Sequence, residues 1–170
     1  MHAYKSLGDI PEAVDLAVLI VPAAGILGVT REAIDKGVKA LVVISAGFKE
    51  TGHEGAELEI KLRDVVRAAG VPLIGPNCLG VINTDRNVRM NAAFGRKMPT
   101  AGNLAFISQS GALCTSVLDY AEERHMGFSK FVSFGNKADV SEIDLLAYLA
   151  KDEKTDVIAM YLEDVSNGRQ

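Results

Sequence analysis

Ser108-Gln109-Ser110-Gly111 offers two hydroxyls, a carboxamide and a glycine directly after the apolar run Leu104-Ala105-Phe106-Ile107. When a strand feeds a helix through such a turn, the first helical N–H groups are unpaired, and with the helix dipole they attract an anion. Ser110 can cap the helix and also touch a phosphate, while Gly111 lets a ligand approach the backbone. Plain capping without a ligand explains the same residues. The Gly-Lys-Ser/Thr arrangement of a Walker A loop is absent, and no hydrolase triad can be assigned by position.

Two further turns stand where an open parallel sheet binds ligands, beyond the carboxyl ends of its strands. Gly75-Pro76-Asn77-Cys78-Leu79-Gly80 is narrow, and Asn77 can donate and accept hydrogen bonds. Cys78 is a nucleophile or an apolar filler, and without an assignable base the packing reading is preferred. Ser45-Ala46-Gly47-Phe48 is the second turn, with Phe48 free to stack on an adenine or to pack beneath the loop. Glu163 directly follows the last apolar run, where a carboxylate can hold an imidazole N–H or simply face water. His53 and His125 read as solvated or helix-end residues, and His2 lies at the terminus.

The elements that position these residues follow from hydrophobic patterning. Apolar runs at 16–21, 39–45 and 71–74 predict buried strands, and residues 23–36 and 55–69 predict the helices between them, stopped by Gly37 and Gly70. Residues 81–102 break the pattern. It then restarts with a strand at 104–107, a helix at 112–126, a strand at 128–134, a helix from Ser141 to about Ala150, and a strand at 157–162. Ser141 and Asp144 are spaced as a capping box. This βαβ order predicts parallel strands joined by helical crossovers, with a domain boundary near residue 100.

At 170 residues and 48% hydrophobic, the chain can bury a sizeable core. It contains no apolar run long enough to span a bilayer and no export-like leader. Residues 1–100 carry 12 basic and 11 acidic side chains, and residues 101–170 carry 6 and 11. Neither half has the basic field of a general nucleic-acid binder. Two cysteines outside any Cys-x-x-Cys pair and three scattered histidines supply no metal pattern. This cysteine usage fits a reducing cytoplasm.

Four ordered blocks carry a family resemblance: Val42-Val43-Ile44-Ser45-Ala46-Gly47-Phe48, Gly75-Pro76-Asn77-Cys78-Leu79-Gly80-Val81-Ile82-Asn83, Phe106-Ile107-Ser108-Gln109-Ser110-Gly111-Ala112-Leu113, and Gly135-Asn136-Lys137-Ala138-Asp139-Val140 followed by Tyr161-Leu162-Glu163. From Tyr4 to about Arg169 the chain resembles the NDP-forming acyl-CoA synthetases, the ADP-forming acetyl-CoA synthetase group related to the succinyl-CoA synthetase alpha subunit. The resemblance implies an α/β chain in two parts. Residues 1–96 resemble a parallel-sheet Rossmann-like CoA-binding domain without its N-terminal Gly-rich unit. Residues 97–102 resemble a linker, and residues 103–170 the start of a flavodoxin-like ligase domain.

By the same resemblance, Val21, Pro22, Ser45, Gly47, Phe48, Asn77 and Cys78 match loops that surround CoA. Ser110, Gly111 and Ala112 match the helix start that receives a phosphorylated histidine, and Glu163 matches the glutamate associated with it. The implied reaction reversibly joins an acid to CoA while ATP becomes ADP and phosphate. ATP, ADP and Mg2+ would be held by an ATP-grasp domain or subunit beyond these residues. The phosphohistidine would also lie outside them, so no histidine here inherits that role. Both ends look unfinished, and an oligomer is expected. A regulatory module of a protein lysine acetyltransferase and a noncatalytic CoA-sensing module are the alternatives.

Overall fold

The computed structural model describes residues 3–95, 97–165 and 168. Strands β1 (Leu16–Leu19), β2 (Ala40–Val43) and β3 (Leu73–Ile74) form a parallel sheet in that order. Helix α1 (Ile26–Lys36) crosses from β1 to β2, and α2 (His53–Ala69) crosses from β2 to β3. Ile26 and Ala33 of α1, and Leu62 and Val66 of α2, pack on Leu41, Val43 and Leu73 in one apolar cluster. Helix α2 starts two residues before the apolar periodicity predicts. His53 opens it with a side chain 85% exposed and Nδ1 3.7 Å from the Glu57 carboxylate, as a solvated histidine would.

The second sheet contains β4 (Gly80–Asn83), β5 (Met90–Ala93), β6 (Ala101–Ser108), β7 (Phe128–Ser133) and β8 (Val157–Tyr161), in the order β5-β4-β7-β6-β8. Here the structure departs from the sequence reading. Residues 81–102 are not irregular, because β4 and β5 form an antiparallel hairpin, and β4 also pairs antiparallel with β7. The polar run after β4 is the hairpin turn. Asn83 Oδ1 accepts from the Asp85 N–H at 3.0 Å, and Asp85 Oδ1 accepts from the Asn87 N–H at 2.8 Å, the local bonding that suits Asn and Asp to turns.

The change of sheet therefore falls between Ile74 and Gly80 rather than at 97–102, and Ala101 and Gly102 already belong to β6. The physical reason is pairing. The hairpin satisfies its backbone on β7, and the Thr84 hydroxyl anchors its far end by donating to the Phe128 carbonyl at 2.5 Å.

Within the second sheet, β6, β7 and β8 are parallel and lie in the order β7-β6-β8. Helix α3 (Gly111–Glu123) crosses from β6 to β7, and α4 (Glu142–Leu149) crosses from β7 to β8. Cys114 and Ala121 of α3 pack with Phe106, Phe128 and Phe131, whereas Leu145 and Leu149 of α4 pack with Ala105, Ile107, Val132 and Phe134. Alternation along a strand sends neighbouring side chains to opposite faces, so the two helices cover opposite faces. Every residue of β7 is buried as a result. Its one charge, Lys130, pairs with Asp152 at 2.7 Å. Reversal of strand order at β6 opens a crevice at the carboxyl ends of β6 and β8, the place where open α/β sheets bind ligands.

Candidate functional site

Ser108-Gln109-Ser110-Gly111 leaves β6 at this crevice. Ser110 caps α3, its hydroxyl accepting from the Leu113 N–H at 3.3 Å. Its own N–H donates to Ser108 Oγ at 3.0 Å. The N–H groups of Gly111 and Ala112 meet no acceptor among the described residues. The cap leaves room for an anion: one hydroxyl satisfies the third helical N–H, and the first two stay open among the described residues.

The turn after β8 faces this helix start. Gln109 joins the two: its Oε1 accepts from the N–H groups of Glu163 at 2.7 Å and Asp164 at 3.2 Å, and its Nε2 donates to Asp164 Oδ1 at 2.6 Å. The exposed Glu163 carboxylate has no partner among the described residues. Asp164 is held from below by Lys137, whose Nζ donates to its carbonyl at 2.9 Å and to its carboxylate at 2.9 Å. Hydrogen bonds from Lys137 and Gln109 hold the Asp164 carboxyl below its usual range. Burial works against the Lys137 ammonium, but its bonds to Asp164 and Glu142 outweigh that and raise its pKa.

The segment 135–140 ties this crevice to the first sheet. Asn136 Nδ2 donates to Glu50 at 2.7 Å and to the buried Glu59 at 2.8 Å, its Oδ1 accepts from Asn77 at 3.3 Å, and its carbonyl accepts from Lys49 at 2.7 Å. Gly135 makes the approach possible, because a Cβ there would stand 2.3 Å from the carbonyls of both Pro76 and Asn77. Asp139 adds a second tie, pairing with Arg67 at 2.9 Å and accepting from the Leu73 N–H at 3.1 Å.

The residues matched to CoA loops divide into two groups. Ser45 fixes the loop after β1: its hydroxyl donates to the Val21 carbonyl at 2.6 Å and accepts from the Val21 N–H at 3.0 Å. Pro22 is exposed, and Gly47, with φ of 106°, lies against Ala23. The Phe48 side chain is a correction, and the Cys78 side chain packs as its sequence position suggested. Phe48 is fully buried in the first core, so its ring has no face to offer an adenine. The Cys78 thiol is 7% exposed and donates to the Val43 carbonyl at 3.3 Å. Burial pushes its pKa up to about 12, so it packs and does not serve as a nucleophile.

A cavity of about 760 Å³ unites Asn77 and Cys78 on one wall with Ser110, Gly111, Ala112 and Glu163 on others. Val21, Pro22, Ser45, Gly47 and Phe48 do not line it; they sit at the ends of β1 and β2. Sequence reasoning missed Lys49, Glu50, Gln109, Asn136 and Asp164 as wall residues. A long carboxamide between two serines in a strand-to-helix turn was the available sign for Gln109. Asn136 stood inside a recognised block but had no assigned partner until the sheets came together.

Comparison with known proteins gives this crevice a lineage. Residues 1–84 match the CoA binding domain family, and residues 101–170 match the succinyl-CoA ligase like flavodoxin domain. The chain is 52% identical over 167 residues to acetate--CoA ligase [ADP-forming] I of Archaeoglobus fulgidus, covering 98% of this chain and 24% of that protein. Over nearly its whole length the chain is homologous to the ADP-forming acetyl-CoA synthetase and succinyl-CoA synthetase-like family. The alpha subunit of acetate--CoA ligase [ADP-forming] II of Pyrococcus furiosus is 44% identical, over 100% of this chain and 36% of that subunit. The acetyl-coenzyme A synthetase 1 of Ca. Korarchaeum cryptofilum, solved with phosphate and ADP, superimposes with a TM-score of 0.92 at 43% identity. That match covers 99% of this chain and 36% of the solved chain. The chain thus spans about a quarter to a third of these relatives. The two sheets are those of a Rossmann-like CoA-binding domain and a flavodoxin-like ligase domain.

Proposed function

We propose that this chain supplies the CoA-binding surface and the phosphoryl-receiving end of an ADP-forming acyl-CoA synthetase. The overall reaction converts acid, CoA and ATP reversibly to acyl-CoA, ADP and phosphate, and CoA supplies the thiol that captures the acyl group. The observation that carries the reading is the pairing, in one cavity, of the Gly111 and Ala112 helix N–H groups with the Glu163 carboxylate, none of which has a partner among the described residues. The N–H groups hold a phosphoryl oxygen, aided by the helix dipole. Glu163 accepts an imidazole N–H and fixes which ring nitrogen is free. The imidazole comes from a histidine beyond these residues.

The CoA surface reads as the ends of β1 and β2. Exposed Pro22 and the half-buried Val21, Ser45 and Gly47 form a shallow shelf that fits a ligand held through backbone groups, with Asn77 at its inner end. Phe48 and Cys78 contribute only backbone there. Residues 97–100 link the β4–β5 hairpin to β6, and the chain passes from the first sheet to the second at 75–79. An ATP-grasp domain or subunit, holding nucleotide and Mg2+, is the expected partner in an oligomer. No helix among the described residues is long and apolar enough to cross a membrane. Two buried free cysteines suit the reducing cytoplasm in which we place the reaction.

The test is ADP release by the full-length polypeptide with ATP, CoA and a panel of small carboxylic acids beginning with acetate and 4-hydroxybutyrate. Acid- and CoA-dependent ADP formation is expected, and Glu163→Gln should reduce it at least about tenfold while CoA affinity holds. CoA binding with no ADP formation under any acid would overturn the synthetase reading in favour of a CoA-sensing module.

A further inference from the structure

We propose that Gln109 is a positioning residue that sets the direction of the Glu163 carboxylate; the inference rests on the reading of Glu163 given above. One side chain makes three bonds across the crevice. Its Oε1 gathers the N–H groups of Glu163 and Asp164, and its Nε2 reaches Asp164 Oδ1. A fourth bond comes from its backbone, whose N–H donates to the Tyr161 carbonyl at 3.1 Å. The turn that carries Glu163 is thereby built onto the turn that opens α3, so the carboxylate and the two open N–H groups share one frame.

Only a carboxamide satisfies this contact. A carboxylate at 109 would accept from both N–H groups but would confront Asp164, and an ammonium would bond Asp164 but offer nothing to the N–H groups. Lys137 braces the same turn through Asp164 alone and pairs with Glu142 of α4. Lys137 therefore fixes the turn to α4, whereas Gln109 fixes it to the helix start where the phosphoryl group would bind. Misplacement of a reacting group by about 1 Å can lower a rate about 100-fold.

The experiment is a double-substitution cycle in the full-length polypeptide, with kcat and the KM for CoA measured for Gln109→Met, Glu163→Gln and the pair. Gln109→Met is expected to lower kcat about 10- to 100-fold with the KM for CoA within about twofold. Because Gln109 acts through Glu163, the pair should be no slower than Glu163→Gln alone; losses that multiply would signal a merely structural role and overturn the proposal. If Gln109→Met does not fold, Gln109→Glu carries the same cycle, since it keeps both acceptor bonds. In that variant Asp164→Asn should restore part of kcat by returning a donor to the contact, and no restoration overturns the proposal. A silent Glu163→Gln would overturn the reading of Glu163 itself. A slow Glu163→Gln beside an unchanged Gln109→Met would leave that reading intact and remove only Gln109.

Discussion

The two ligand-facing ends of this molecule are held in place by different physics. At the end of β2, the loop is plugged from beneath by the fully buried Phe48 and pinned to its neighbour by the neutral Ser45 hydroxyl, with one carboxylate, Glu50, accepting from the Gly47 and Phe48 N–H groups. At the ends of β6 and β8, the loops are held by a carboxamide, a buried lysine and carboxylates. Apolar packing is non-directional, so it suits a surface that need only keep its shape. Charge-assisted hydrogen bonds are directional, so they suit the aim that the proposed role of Glu163 requires. The contrast teaches that two loop clusters on similar scaffolds can rest on different proportions of apolar packing and charge-assisted bonding.

Breaking the apolar side should have the largest effect on stability. Phe48→Ala leaves a cavity in the first core and is expected to cost about 4 kcal/mol in denaturant unfolding. Phe48→Leu should retain CoA affinity, since the ring is buried; a large loss of CoA affinity with normal stability would return Phe48 to the binding surface. On the charged side, Lys137→Met removes the cation from Glu142, whose side chain is 3% exposed. A loss of about 3 kcal/mol is expected by the same measurement.

Asn136→Ala acts between the two sides, taking a donor from both Glu50 and Glu59. Its expected cost is about 2 kcal/mol, with the two sheets losing cooperativity in a thermal scan.

Acid sharpens the comparison with the mildest perturbation. Asp164 is depressed by its bonds from Lys137 and Gln109, and Asp144 by its bonds from Ser141. Burial pushes the Asp152 carboxyl up, but bonds from Lys130 and Thr155 more than reverse it. A carboxyl depressed in the folded state contributes stability above its unfolded pKa and loses it as pH falls through the folded value. The loss therefore sets in below about pH 4. All three groups belong to the second sheet's helix and loops, whereas Glu50, pushed up by burial but brought below its usual range by Asn136 and the Phe48 and Gly47 N–H groups, is the one such carboxyl on the first side among the described residues. Amide NMR signals of residues 109–113 and 163–164 should shift on titration to about pH 3 before those of 41–45 do. Simultaneous loss of both sets would show that the loops share one support.

Much of the fold was legible because it is written in local terms. The runs at 39–45 and 104–107 announced buried strands, whereas the run at 16–21 gives a strand with Val18 exposed and with Ile20 exposed beyond its end; Ser141 and Asp144 form the capping box their spacing predicts, and Ser110 caps α3 as its position suggested. The β4–β5 hairpin was not legible, since short apolar pieces around a polar turn look irregular until β7 supplies a partner. Phe48 shows the same limit inside the site. An aromatic at a strand end has the same local sequence whether its ring turns toward ligand or core, and burial beneath the loop settles it.

What the sequence determined by itself was the order of elements, the helix caps, and the placing of Ser110, Gly111 and Glu163 at strand ends, because periodicity and capping act over a few residues. Tertiary structure alone decided that β6 lies between β7 and β8, which brings residues 109 and 163 into hydrogen-bond contact. It also decided that Asn136 meets Asn77, Glu50 and Glu59 across two sheets. Such contacts join residues more than 50 positions apart. Their partners are selected by strand order and close packing, and no local pattern encodes them.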